Sequence, residues 1–232
     1  LYILNKYANL IIVIISNPTK ELRMKSPIRL LTLISILFVI VFSQFANPHS
    51  VQAACAPNHI IYVRPTGTNA GGCSWVSAFT TLQSALAIAT SGDQIWVASG
   101  TYYPDEGTGQ TNNDQASTFA LIDGVSIYGG FAGTPGTEAL FVRNSNPATN
   151  NTVLSGDIDQ DGLDADNAST VVTITGILTD TFILDGFTVT NGYEDSGSGH
   201  GGGVYVVDAS PVFTNVIVTN NSANSNGGGV YV

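Results

Sequence analysis

Short apolar stretches separated by glycine, asparagine and aspartate fill the chain from residue 59 onward. "HIIYVRP", from His59 to Pro65, alternates like a strand and is closed by proline. "SWVSAFTTLQSALAIATSGD" breaks the habit. There Ala78, Phe79, Leu82, Ala85, Leu86 and Ala89 follow i, i+3, i+4 spacing. That face predicts a single helix from about Thr80 to Ala89, with Gly92 as its stop. Only short strands follow: "QIWVA", "TFALI", "VSIY", "TVLS", "TVVTI", "TFIL", "FTVT", "VYV" and "VIVT". Such a series means a sandwich, a barrel or a solenoid, and internal repetition decides among them.

The repetition is present. "GGGVYV" at Gly201 to Val206 recurs at Gly227 to Val232, a step of 26. "LDGFTVTNG" from Leu184 aligns with "FTNVIVTNN" from Phe213, a step of 29, and "IDGVSIYGG" from Ile122 matches the former in type. A period in the twenties with two or three short strands per copy fits one coil of a parallel β-helix. Within "FTVT", Phe187 and Val189 are expected to face inward and stack on their counterparts, with Thr188 and Thr190 outward. In "VYV" the two valines share one face and the tyrosine takes the other. Asn191, Asn220 and Asn221 fall at corners, where asparagine tolerates left-handed backbone angles. The glycine triplets suit a tight turn or a close approach between coils. The helix then caps the first coil, covering apolar side chains and strand edges.

The first fifty residues are different material. Met24 is followed by Lys25 and Arg29, the apolar run from Leu30 to Phe42, and the small-residue exit Val51-Gln52-Ala53. These are the parts of a secretory signal, with a retained anchor as the alternative. The expected organisation is therefore an upstream extension over 1–23, a signal over 24–53, an N-terminal cap over 54–110 and β-helix coils over 111–232. The last coil is expected to be interrupted at Val232, with the repeat continuing beyond it. Export places Cys55 and Cys73 in an oxidising setting, where they are expected to close a small loop as a disulfide. Lipid modification of Cys55 is the competing reading, disfavoured by Gln52.

Charge narrows the partners. Beyond Ala53 the chain holds no lysine, and two arginines against sixteen acids leave a net charge of −14. Nucleic acid and anionic lipid are excluded as expected partners by repulsion. Membrane association would come only through the signal or a C-terminal part beyond this chain.

"GGGVYV", "SPVFTNVIVTNNSA" and the second "GGGVYV" resemble the GG-aliphatic and F-x-x-N repeats of the chlamydial polymorphic outer-membrane proteins. The blocks "IYVRPTGTNAGGCSWVSAFTTLQSAL", "GDQIWVASGTYYP", "SIYGGFAGT" and "LSGDI" resemble the start of large exported bacterial β-helix proteins. The likeness spans roughly residues 60 to 232. It implies an all-β, right-handed parallel β-helix of the pectin-lyase-like kind, at the cell surface or outer membrane or secreted. It also implies an adhesive role toward a host or neighbouring-cell surface or a polysaccharide. The same fold hosts carbohydrate-active enzymes. Gly199-His200-Gly201 resembles the G-H-G of polygalacturonase-type glycosidases, but their N-T-D, D-D and R-I-K partners do not occur here. A lyase would need a basic residue among carboxylates, and only Arg64 and Arg143 are available. No catalytic residue is therefore assigned. The alternative is a polysaccharide lyase or glycoside hydrolase whose catalytic coils lie beyond residue 232.

One candidate site remains. In "GDIDQDGLDADN", Asp157, Asp159 and Asp161 alternate ahead of Gly162, as in the first half of a D-x-D-x-D-G calcium loop. Hard carboxylate oxygens so spaced converge on one Ca²⁺ when glycine permits the turn. The twelfth position is Ala168, where an EF-hand has an acid; Asp164 or Asp166 would have to substitute. The competing reading is a solvated acidic loop. Apart from Ca²⁺ no cofactor is expected. Asn150, Asn167 and Asn220 stand in N-x-S/T patterns, read as incidental.

Overall fold

A computed structural model describes residues 59–136, 138–163, 165–176, 182–195, 199 and 201–232. All of them belong to the compact unit Gln52–Val232. The predicted signal segment, Cys55, Asp164 and His200 lie outside the described residues.

The strands are β1 (Ile60–Val63), β2 (Gln94–Ala98), β3 (Gly100–Tyr102), β4 (Phe119–Ala120), β5 (Ser126–Phe131), β6 (Thr152–Ser155) and β7 (Val172–Thr175). They continue as β8 (Ile183–Thr190), β9 (Tyr193–Glu194), β10 (Val204–Val207), β11 (Val212–Thr219), β12 (Ser222–Ala223) and β13 (Val230–Tyr231). Each strand pairs with its counterpart one coil away, and the pairings are parallel. The result is a β-solenoid of about five turns with little helix. Strands β1, β2 and β3, which the sequence places in a cap, join the same sheet as the later coils.

Alternation explains the interior. Ile61, Ile95, Ile127, Leu184 and Phe213 stack in one column. Tyr102, Leu154, Val189 and Val218 form a second, and Phe119, Val172, Val204 and Val230 a third. All three run through one apolar core, each buried side chain contributing roughly 1.5–3 kcal/mol. Phe187 and Val189 are fully buried while Thr188 and Thr190 are not, as the alternation requires. On the last coil, Phe213 and Val230 are 38% and 40% exposed.

The two late repeats stack in the expected register: Val204 on Val230 and Leu184 on Phe213. In each triplet the first glycine is left-handed, with φ of +72° at Gly201 and +64° at Gly227. A Cβ on Gly202 would stand 2.0 Å from the Ser222 carbonyl oxygen, so close approach is the reason for the second glycine. Asn191 and Asn220 turn their corners at φ +60° and +51°, and the Asn191 amide donates to the Asn220 carbonyl at 3.0 Å. Asn221 works through its side chain instead. Its Oδ1 accepts from the Gly192 amide at 2.8 Å, and its Nδ2 donates to the Val189 and Thr219 carbonyls.

Two expectations shift. The helix α1 is only Leu82–Leu86, although Leu82, Ala85 and Leu86 do join the main core beside Ile61 and Val63. A second short helix, α2, covers Pro147–Asn150. The match of "IDGVSIYGG" to "LDGFTVTNG" does not give the stacking register. Ile127, not Ile122, sits on Leu184. The corner glycine opposite Gly186 is thereby Gly129, and Gly124 belongs to the turn before β5.

The outer face of the first sheet carries its own apolar layer. Tyr62, Trp96 and Tyr128 form an outward column, and Trp96 stacks on Phe131 at 4.6 Å with Trp75 beside them. Asp185 is the next member of that column. The loop after β5 lays Arg143 on it. Nη2 donates to Asp185 Oδ2 at 2.5 Å and Nη1 to the Gly129 carbonyl at 2.8 Å, with the guanidinium over the Tyr128 ring.

Candidate metal centre

The loop holding the three aspartates leaves β6 and returns to β7. Its neck is closed by the Ala168 amide donating to the Gly156 carbonyl at 2.8 Å. Neighbouring coils hold that neck: the Gly156 amide donates to Thr190 O and the Tyr193 amide to Ala168 O. Inside the loop, the Gly162 amide donates to Asp157 Oδ1 at 3.0 Å. Gly162 adopts φ +126°, a region open to glycine rather than to residues with a Cβ. The turn folds the chain back so that alternating carboxylates meet.

They do meet. One oxygen from each of Asp157, Asp159 and Asp161 lies within 4.8 Å of the others, with the first two half-buried and the third exposed. Three hard anionic oxygens at that spacing could hold a metal ion. Ala168, the twelfth position, is fully buried and is used through its backbone to close the neck. Asp166 is exposed and is not among the convergent carboxylates.

The previous coil adds to the negative potential. Strand β3 pairs with β6 through Tyr102 and Leu154, and the turn that follows β3 carries Asp105 and Glu106. The phenol of Tyr103 is pushed up by burial first, then by the charges of Asp157, Glu106 and Asp105. Burial and the Asp105 charge likewise raise the carboxyl of Glu106.

The other sequence candidates fall elsewhere. Cys73 is not a free thiol, and its expected partner Cys55 is outside the described residues. Arg143 is committed to Asp185, and Arg64 Nη1 donates to the Gly133 carbonyl at 3.0 Å. Asn150 and Asn167 are 3% and 0% exposed, so neither is accessible for glycosylation in the folded chain. Asn150 Nδ2 donates to Gly186 O and its Oδ1 accepts from Thr152 N, tying a loop to a corner.

Fold and site together define a parallel β-solenoid with an acidic metal-competent loop at one corner. A family model described as "Protein of unknown function (DUF1565)" matches residues 65–230, and the chain belongs to that family. Comparison with curated proteins and with solved structures yields no match.

Proposed function

We propose that this chain is a secreted or cell-surface solenoid segment with a non-enzymatic, structural or adhesive role, and that its acidic corner loop binds Ca²⁺. The observation that carries the reading is the run of three stacked columns through successive coils. Such stacking makes a stiff element in which corners and outer faces are the surfaces offered to a partner. Both arginines of the described residues are engaged in holding loops onto coils, which argues against a lyase base here. The acidic surface suits a partner that is neutral or cationic, or one bridged by calcium. Calcium fits the donor set because carboxylates and a backbone turn supply flexible hard-oxygen ligation.

The export reading rests on the pattern from Met24 to Ala53. N-terminal sequencing of the exported protein should begin near Ala54. The functional test is a panel of acidic and neutral polysaccharides and of whole cells, presented to the purified protein with and without Ca²⁺. Retention without reducing ends or unsaturated products supports the proposal, and clear turnover overturns it. A calcium titration that leaves the melting temperature unmoved overturns the ion.

A further inference from the structure

Among the described residues, seven buried side-chain atoms have no hydrogen-bond partner. Four are nitrogens, of His59, Arg64 and Arg143. The three oxygens are Asp105 Oδ1, Asp159 Oδ1 and Asn167 Oδ1. The three oxygens left without a donor among the described residues thus lie in the acidic loop and in the turn after β3 on the coil beneath it. A buried acceptor without a donor costs about 1–3 kcal/mol, and a carboxylate more. A cation removes that cost for all oxygens it touches.

Asn167 is the informative member, because it is fully buried and carries no charge of its own. Its Nδ2 donates to two carbonyls, Gly162 O and Asn191 O, each at 2.9 Å. Both partners are acceptors, so the end that meets them is the nitrogen, and the oxygen is left without a donor. The comparable corner asparagines lack this feature: Asn150 Oδ1 accepts from Thr152 N and Asn221 Oδ1 from Gly192 N. Gly162 links the amide to the acidic loop. Its carbonyl receives Asn167, and its N–H donates to Asp157 Oδ1.

We propose that the Asn167 carboxamide oxygen is a ligand of the cation held by Asp157, Asp159 and Asp161, filling the role an EF-hand gives to its last acid. Because the same amide grips Asn191 on the next coil, ion binding clasps the loop to that coil. This inference rests on the calcium reading of the loop and goes beyond it by adding a neutral, buried ligand and a coupling between coils.

The experiment is calorimetric titration of Ca²⁺ into the full chain, with Asp159→Asn, Asn167→Ala and Asn167→Asp alongside. The expected result is that Asn167→Ala weakens Ca²⁺ binding by about tenfold or more, through loss of a ligand. Asn167→Asp should restore it, since a carboxylate replaces the carbonyl oxygen. Wild-type protein offers a check that needs no variant: the Asn167 side-chain carbonyl carbon should shift on saturation with Ca²⁺. If wild type binds and Asp159→Asn weakens it, while Asn167→Ala binds normally or the Asn167 carbonyl resonance stays still, the clasp is refuted and the acidic loop stands. If wild type binds no Ca²⁺, the loop reading fails and the clasp with it.

Discussion

Replacing Arg143 by alanine tests whether the outer loop is locked onto the solenoid by a buried ion pair. The side chains of Arg143 and Asp185 are 6% and 13% exposed, so the pair is shielded from water. Breaking such a pair costs about 3–5 kcal/mol, mostly because the surviving charge remains buried without its partner. Asp185 keeps one donor, Asn215 Nδ2 at 2.9 Å, which places the expected loss near the lower end, about 3 kcal/mol. For a domain of this size each kcal/mol moves the melting temperature by roughly 2–4 °C, so the shift should be about 6–12 °C. Arg143→Lys should recover only part of it. A lysine keeps the charge but cannot reach Asp185 and the Gly129 carbonyl together as the guanidinium fork does. Urea midpoints and thermal melts followed by circular dichroism measure both variants. A loss below about 1 kcal/mol for the alanine variant is what an exposed pair would give, and it would refute the locked loop.

Two further outcomes follow from the core and from a buried carboxylate. Phe187→Ala should cost about 3–5 kcal/mol because the ring is fully buried within the main core. A loss below about 1 kcal/mol in denaturation midpoints would contradict its place inside the solenoid. Burial works to raise the carboxyl of Asp93. The amide and hydroxyl of Thr90 and the amide and ring of His59 outweigh it and hold the pKa below the ordinary aspartate value. A lowered folded value means stability that is fully present above the unfolded value and lost as pH falls through the folded one. The gap in melting temperature between wild type and Asp93→Asn should shrink as pH falls from about 5 to below about 4. A gap indifferent to pH would exclude the carboxylate as its source.

How much was legible in the chain depended on how literally a coil repeats. The last two coils could be registered by eye because "GGGVYV" recurs letter for letter and the loop difference is three residues. The next register inward could not. Asp123-Gly124 mimics Asp185-Gly186 and both glycines are left-handed, yet Gly124 serves a turn before β5 rather than the corner. Only stacking distinguishes the two uses of the same pair of letters. The helix is shorter than the apolar face at Ala78 to Ala89 predicts because its flanks are apolar for another reason. Phe79 bridges to Val63 as extended chain, and Ala89 packs on the core beyond the helix. Arg143 and Asp185 are 42 residues apart with no periodic relation, so their pairing had no local signature. A lone arginine in a strongly acidic segment is the one hint the letters offer. Asn167 was hidden for a different reason: its N-x-S context suggests a surface, whereas its environment is wholly buried.

The acidic loop sits where this fold can accept chemistry. Inside the solenoid each side chain is sandwiched between equivalents, so a polar or larger residue disturbs the coils above and below. At the corner after β6 the chain spends residues 156 to 168 on an excursion, while the stacked corner of the next coil is the tight Asn191–Gly192. The excursion is nonetheless anchored at its neck by Gly156 and Ala168, and across to the neighbouring coil by Asn167. Repulsion among Asp157, Asp159 and Asp161 opposes the fold of that excursion unless something positive is present. The stiff coils below hold the carboxylates together against it. A cation bound there would convert that repulsion into attraction and transmit it to the next coil through one buried amide.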